Sequence, residues 1–222
     1  MDSTTITLII VIAVALKYLV PYLAKSGDPE KTSLISEWEY KVKFAKLNEE
    51  LYEKSNPLEK ENLLYYFIQK LRLSDNYDDA SFQSMPKTLQ IVHLINNLDT
   101  EVNNGGFLQF FTNSSGHYTL ETIEALDLVG AKQTKGLLEE AIQIIQKHKV
   151  APEQLNDKIN RKSWGDIITS SDFYENEELI DEMGKVDTKF YEVPENTVKL
   201  KLDYVEKHKK ELWEALDENK TH

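Results

Sequence analysis

The sequence predicts an all-α protein: an N-terminal single transmembrane helix followed by an acidic multi-helix globular domain. Three observations carry this. Glycine (8) and proline (6) are scarce among 222 residues, which disfavours a loop-rich sandwich. Apolar residues beyond about residue 34 recur at steps of three and four, with no sustained strand alternation. Residues 6–24 form one nearly unbroken apolar run.

Those nineteen residues, at 1.5 Å rise each, span about 28 Å, close to the roughly 30 Å hydrocarbon core of a bilayer. Lys17 is the single charge, about two turns from the end, where its stem can snorkel to the interface. Tyr18 and Tyr22 suit an aromatic belt, and Pro21 falls in the last turn. A cleaved signal peptide needs a basic start, yet residues 1–5 carry Asp2 and no Lys or Arg. A buried core helix is rarely so apolar all round. Lys25, Lys31, Lys41, Lys43 and Lys46 follow the run, so the positive-inside rule places the C-terminal side in the cytoplasm. Residues 1–25 are read as the transmembrane anchor, 26–33 as a juxtamembrane linker and 34–222 as one helical domain.

Within the domain, Leu34, Trp38, Val42, Ala45 and Tyr52 fit a first amphipathic helix. Asn56-Pro57-Leu58-Glu59 is a start signal, with Asn at the cap, Pro at the first position and Glu at the third. The helix it opens carries Leu63, Leu64, Phe67, Ile68 and Leu71. Pro86 opens another, with Leu89, Val92, Ile95 and Leu98 inward. Thr119 caps a helix that ends at Val129, with Gly130 just past its end. Helices over 137–145, 177–183 and 197–216 complete the set. Phe190-Tyr191-Glu192-Val193 is the nearest approach to a strand.

Charge and composition narrow the chemistry. Lys plus Arg is 26 against 38 Asp plus Glu, a net of −12, and such a field repels nucleic acid phosphate. The absence of cysteine removes disulfides, thiolate metal sites and thiol nucleophiles, and agrees with a reducing compartment.

The most distinctive stretch runs Glu101-Val102-Asn103-Asn104-Gly105-Gly106-Phe107-Leu108-Gln109-Phe110-Phe111. The glycine pair lets the chain take positive φ and turn sharply out of the preceding helix. Phe107, Phe110 and Phe111 then plug the core, and Asn113-Ser114-Ser115-Gly116 ends the short helix. A phosphate loop would need a following Lys-Ser/Thr and a preceding strand, so Asn104, Gly105, Gly106, Phe107, Gln109 and Phe110 are assigned a structural role.

This stretch, followed by Thr119-x-Glu121-x-Ile123-x-Ala125-Leu126, Val129-Gly130-Ala131, Val186-Asp187-Thr188-Lys189-Phe190-Tyr191 and Leu202-Asp203-Tyr204-Val205, resembles the bacterial family of DNA-mimic proteins. The resemblance covers residues 89–205. It implies a helical fold, and for some members carboxylates at phosphate-like spacing that occupy the DNA-binding face of a transcriptional regulator. Read with the apolar run, it implies a location at the bacterial inner membrane; the soluble mimic pattern has no such anchor.

Residues 164–195 hold ten carboxylates against Lys185 and Lys189, a net of −8. DNA carries one charge per roughly 1.7 Å of axis, so dense carboxylates on a rigid surface can imitate it. Asp172, Glu175, Glu177, Glu178, Asp181, Glu182 and Asp187 are the expected partner-binding face, with Glu178, Asp181 and Glu182 on one side of a helix. The partner expected is a basic protein such as a DNA-binding regulator. The competing reading is a helical adaptor whose acidic face only keeps it soluble and which binds through an apolar groove. The third is a hydrolase pairing His117 with Glu101 or Asp99, for which no nucleophile or oxyanion hole is evident. No histidine pattern or calcium loop predicts a metal, so the sequence predicts a non-enzymatic module without cofactor. His93 is expected as a satisfied helix histidine, and the tryptophans as core or interface anchors.

Overall fold

The computed structural model describes residues 47–72, 79–148 and 176–218. The chain divides into two compact units, Met1–Leu47 and Asn48–His222, and every described residue except Leu47 belongs to the second. Residues 6–24, on which the anchor rests, lie outside the described residues, as do Trp38, Trp164, Asp172 and Glu175. Among the described residues no helix is long and apolar enough to cross a membrane.

The described residues form α-helices and one 3-10 turn, with no strand among them. Helix α1 is Glu49–Lys54, capped by the Asn48 side chain, which accepts the Leu51 N–H at 2.9 Å. Helix α2 is Pro57–Arg72 and starts as its sequence signal requires. Asn56 Oδ1 accepts the Glu59 N–H at 3.0 Å, and Glu59 Oε2 accepts the Asn56 N–H at 3.2 Å, a reciprocal capping box. Helix α3, Asp79–Ser84, leads into α4, Lys87–Thr112. Pro86 stands one position outside α4 rather than at its first residue, with ψ 138 still extended.

The 3-10 turn Ser114–Tyr118 connects to α5, Thr119–Val129. Thr119 is the first residue of α5 rather than its cap, and its hydroxyl donates back to the Gly116 carbonyl at 2.7 Å. Gly130 is left-handed (φ 82), and the Ala131 N–H returns to the Leu126 carbonyl at 2.8 Å, the helix end anticipated from the sequence. Helices α6, Lys132–Lys147, α7, Glu177–Glu192, and α8, Thr197–Glu218, follow. Phe190–Glu192, the stretch nearest a strand by sequence, is the last turn of α7. Leu179, Met183 and Val186 are buried at helical spacing and Phe190 extends their stripe, so the 3.6-residue period continues to the end.

Helix α4 is the hub. It packs against α2, α5, α7, α8 and the 3-10 turn. The sequence placed Leu89, Val92, Ile95 and Leu98 inward, and all four are buried. So are Gln90, Ile91, His93 and Leu94, because neighbours cover this helix on several sides and leave no solvent face from Thr88 to Ile95. Two buried polar side chains of α4, Gln90 and His93, are bonded, as burial demands. Gln90 donates to the Met85 carbonyl at 2.9 Å, and His93 Nε2 shares a hydrogen bond with Asn97 at 3.1 Å. Trp213 is buried with its ring 5.5 Å from that of Tyr52, a core anchor at the end of α8.

Candidate functional site

The glycine pair breaks α4 without ending it. Gly105 has φ −160, ψ 24, an ordinary extended φ, whereas Gly106 has φ 76, ψ −178, a region nearly closed to side-chain-bearing residues. Two consecutive residues leave the helical region there, so the chain turns out of one helical segment and a second begins at Phe107, as the glycine pair predicts; α4 is these two segments joined across the kink. Phe107, Phe110 and Phe111 are all buried, as anticipated, and Phe107 meets Phe190 edge to face at 5.6 Å. Gln109 and Asn113 donate to Glu101 Oε2, each at 2.7 Å, and Ser115 donates to Glu101 Oε1 at 3.2 Å. One carboxylate thus ties the helix before the kink to the segments after it. The cleft lined by Asp99 does not include His117 or Glu101.

Asp187, expected on the partner-binding face, accepts the backbone N–H of Phe107 at 2.8 Å and sits half-buried against the kink. Burial raises its carboxyl above the ordinary value, and the Phe107 hydrogen bond works against that rise. Four residues on, the Tyr191 hydroxyl donates to the Val102 carbonyl at 2.8 Å.

The other predicted carboxylates lie at the opposite end of α7. Asn176 caps this helix by accepting the Leu179 N–H at 3.0 Å. Glu177 and Glu178 occupy its first turn, where the helix dipole favours negative charge. Lys147 and His148 come from the end of α6. Lys147 bonds both Glu178 and Glu182, and His148 Nε2 lies 3.3 Å from Glu182 Oε2. The Lys147 hydrogen bond holds the Glu182 carboxyl below its ordinary range. Asp181 pairs with Lys185 at 2.6 Å. The sequence reading counted only Lys185 and Lys189 near these acids; the fold adds two basic residues from some thirty positions upstream, which no local pattern signals. His148, Glu178 and Glu182 bring one ligand atom each within 4.8 Å of one another, a spacing that suits a cation, and the Lys147 ammonium already touches both glutamates.

The model of the DMP19-like protein family matches residues 83–208, more than half the chain. The chain belongs to this family. The matched span takes in α4, the glycine kink, the acidic helix α7 and much of α8, and is consistent with the DNA-mimic resemblance carried by the motifs. Compared with curated proteins and with solved structures, the chain has no match.

A polar cluster that the sequence reading missed lies where the matched span meets α2, which precedes it. A cleft of about 510 Å³ opens between α2, α4, α7 and α8. In its wall Lys201 of α8 is buried, with its side chain only 4% exposed. The ammonium donates to Asn96 and lies 3.5 Å from Asp99 and 3.6 Å from Glu61. Thr197 donates to Asp99 at 3.1 Å. Burial raises the Asp99 carboxyl above its ordinary value, opposed chiefly by Lys201. At the rim, Glu195 accepts the Gln133 and Thr134 N–H groups at 3.1 and 2.8 Å, closing the start of α6. The only available signal was Lys201 itself, a charge on the inward stripe of α8 beside Val205 and Leu212.

Proposed function

We propose that the DMP19-like domain is a non-enzymatic protein-binding module that offers the acidic end of α7 to a basic partner, a DNA-binding regulator being the class it suits. The observation that supports this is the charge that survives pairing. Helix α7 carries six carboxylates and two lysines over sixteen residues, a net of −4. Its ties to Lys147 and to Glu140 add one charge of each sign and leave that excess unchanged. The ion pairs therefore position the carboxylates rather than cancel them. Glu177, Glu178, Asp181 and Glu182 fall within about 7.5 Å of helix axis, a mean axial spacing of about 2.5 Å between successive charges, of the same order as the roughly 1.7 Å of duplex DNA. In this reading the apolar run at residues 6–24 holds the domain on the cytoplasmic side of the bacterial inner membrane.

One observation favours the adaptor reading. Leu120 and Leu128 of α5 stand more than half exposed, at 53% and 52%, eight residues apart.

The test is capture of a basic partner by wild type and by a triple variant, Glu178→Gln with Asp181→Asn and Glu182→Gln. Binding should weaken steeply from low to moderate salt, drop in the triple variant and be competed by double-stranded DNA. Binding that ignores salt and the triple substitution would overturn the proposal and leave the apolar face of α5 as the docking surface.

A further inference from the structure

We propose that the cleft between α2, α4, α7 and α8 receives a cationic head group on an apolar stem, an arginine-type side chain inserted by the basic partner. The identity of the source rests on the function proposed above; the ligand chemistry rests on the cleft. Its volume lies in the range of small-ligand sites. Its charge is unbalanced. Lys201 is the single cation among the lining residues, and Asn96, Asp99 and Glu61 already surround it. Three lining carboxylates, Glu61, Asp99 and Glu195, against one ammonium leave a net of −2 beside a partly desolvated space, where a second cation is rewarded and an anion repelled. Glu195 is held in place by two backbone N–H groups of α6, which stabilise its charge without cancelling it.

Two further observations point to an occupant. Thr134 borders the cleft and is fully buried, yet its hydroxyl makes no hydrogen bond. An orphaned buried hydroxyl is costly, and it marks polar capacity in the cleft wall that the protein itself leaves unused. Tyr65, Phe190 and Val198 provide the apolar walls, two of them aromatic, which suit both a methylene stem and a cation over a ring. Phe190 lies eight residues beyond Glu182 on α7, about 12 Å along the axis. A partner lying along α7 therefore reaches both the carboxylates and the cleft.

The test uses the full chain and ligand-observed NMR with three probes: capped Gly-Gly-Arg-Gly-Gly, the same peptide with neutral citrulline for arginine, and free agmatine. The arginine peptide should broaden on addition of protein and the citrulline peptide should not. Glu61→Gln, at the rim, should weaken the arginine peptide about three- to fivefold, the worth of one partly exposed charge pair. Val198→Lys should abolish binding by tethering an ammonium in the cleft. The triple variant of α7 should bind the peptide as wild type does, so failure of the acidic-face reading leaves this result standing. Equal binding of the citrulline peptide, or unchanged binding in both Glu61→Gln and Val198→Lys, would overturn the site. Binding of agmatine without the peptide would overturn insertion of a partner's side chain.

Discussion

Asp187 accepts the backbone N–H of Phe107 at 2.8 Å, across 80 positions of sequence. Phe107 restarts α4 after the kink, so its N–H has the character of a helix N-terminus, and a carboxylate from a neighbouring helix serves as its cap. Tyr191, one turn later on α7, donates to the carbonyl of Val102, four residues before Gly106. One face of α7 thus serves the backbone on both sides of the break.

The two glycines should respond differently to substitution. Gly106→Ala combines φ 76 with a Cβ only 2.3 Å from Asp187 Oδ2, and should cost more than about 2 kcal/mol in chemical denaturation. At Gly105 a Cβ meets only the Gln109 side chain, whose amide must swing away and give up its bond to Glu101, and φ is unremarkable, so Gly105→Ala should cost about 1 kcal/mol, the worth of that hydrogen bond. Equal costs would show that the kink does not depend on the conformation of Gly106.

Phe107 is fully buried at the restart of the helix and packs on Phe190. Phe107→Ala should cost about 3–5 kcal/mol, measured by thermal or denaturant unfolding. A variant with unchanged stability and lost partner binding would reassign this residue to the interface.

Asp187 gives a pH signature. Its carboxyl is raised above the ordinary 3.8, so the folded protein binds a proton that the unfolded chain has released. The contribution is fully present below 3.8 and is lost as pH rises through the raised value. Relative to Asp187→Asn, the wild type should therefore lose stability across that window, read from melting curves at a series of pH values. Asp187→Ala, which removes the acceptor from the Phe107 N–H, should cost about 1–3 kcal/mol. A wild type that gains on Asp187→Asn with rising pH would contradict the assignment.

Removing the three α7 charges should barely affect folding. Glu178 and Asp181 are exposed and Glu182 partly so, and such ion pairs are worth at most about 1 kcal/mol. Far-UV circular dichroism and the melting midpoint of the triple variant should stay close to wild type. Loss of fold would make these residues structural and disqualify them as a test of binding.

The topology inferred for residues 6–24 is tested by reporters fused after His222. A reporter active only in the periplasm should be silent and one active in the cytoplasm should signal. The reverse result would overturn the orientation.

Local sequence by itself determined much of the helical frame. Asn56 and Glu59 closed their capping box, Gly130 took its left-handed turn, and Gly106 supplied the break in α4, because caps and positive φ depend on residues within one turn of each other. The apolar periods of α2 and α4 were likewise legible, since 3.6-residue spacing is written along the chain, whereas α7 was read only as far as residue 183 and runs on to Glu192. What only the tertiary structure decided is the use of each charge. Asp187 and Glu182 are five residues apart on the same acidic helix, yet one caps Phe107 inside the fold and the other holds Lys147 near the surface. Lys201 reads as one more surface lysine until α2 and α4 bring Glu61 and Asp99 to it. A carboxylate's role is set by what desolvates it and what it bonds, and those neighbours arrive from sequence distances that no local pattern encodes.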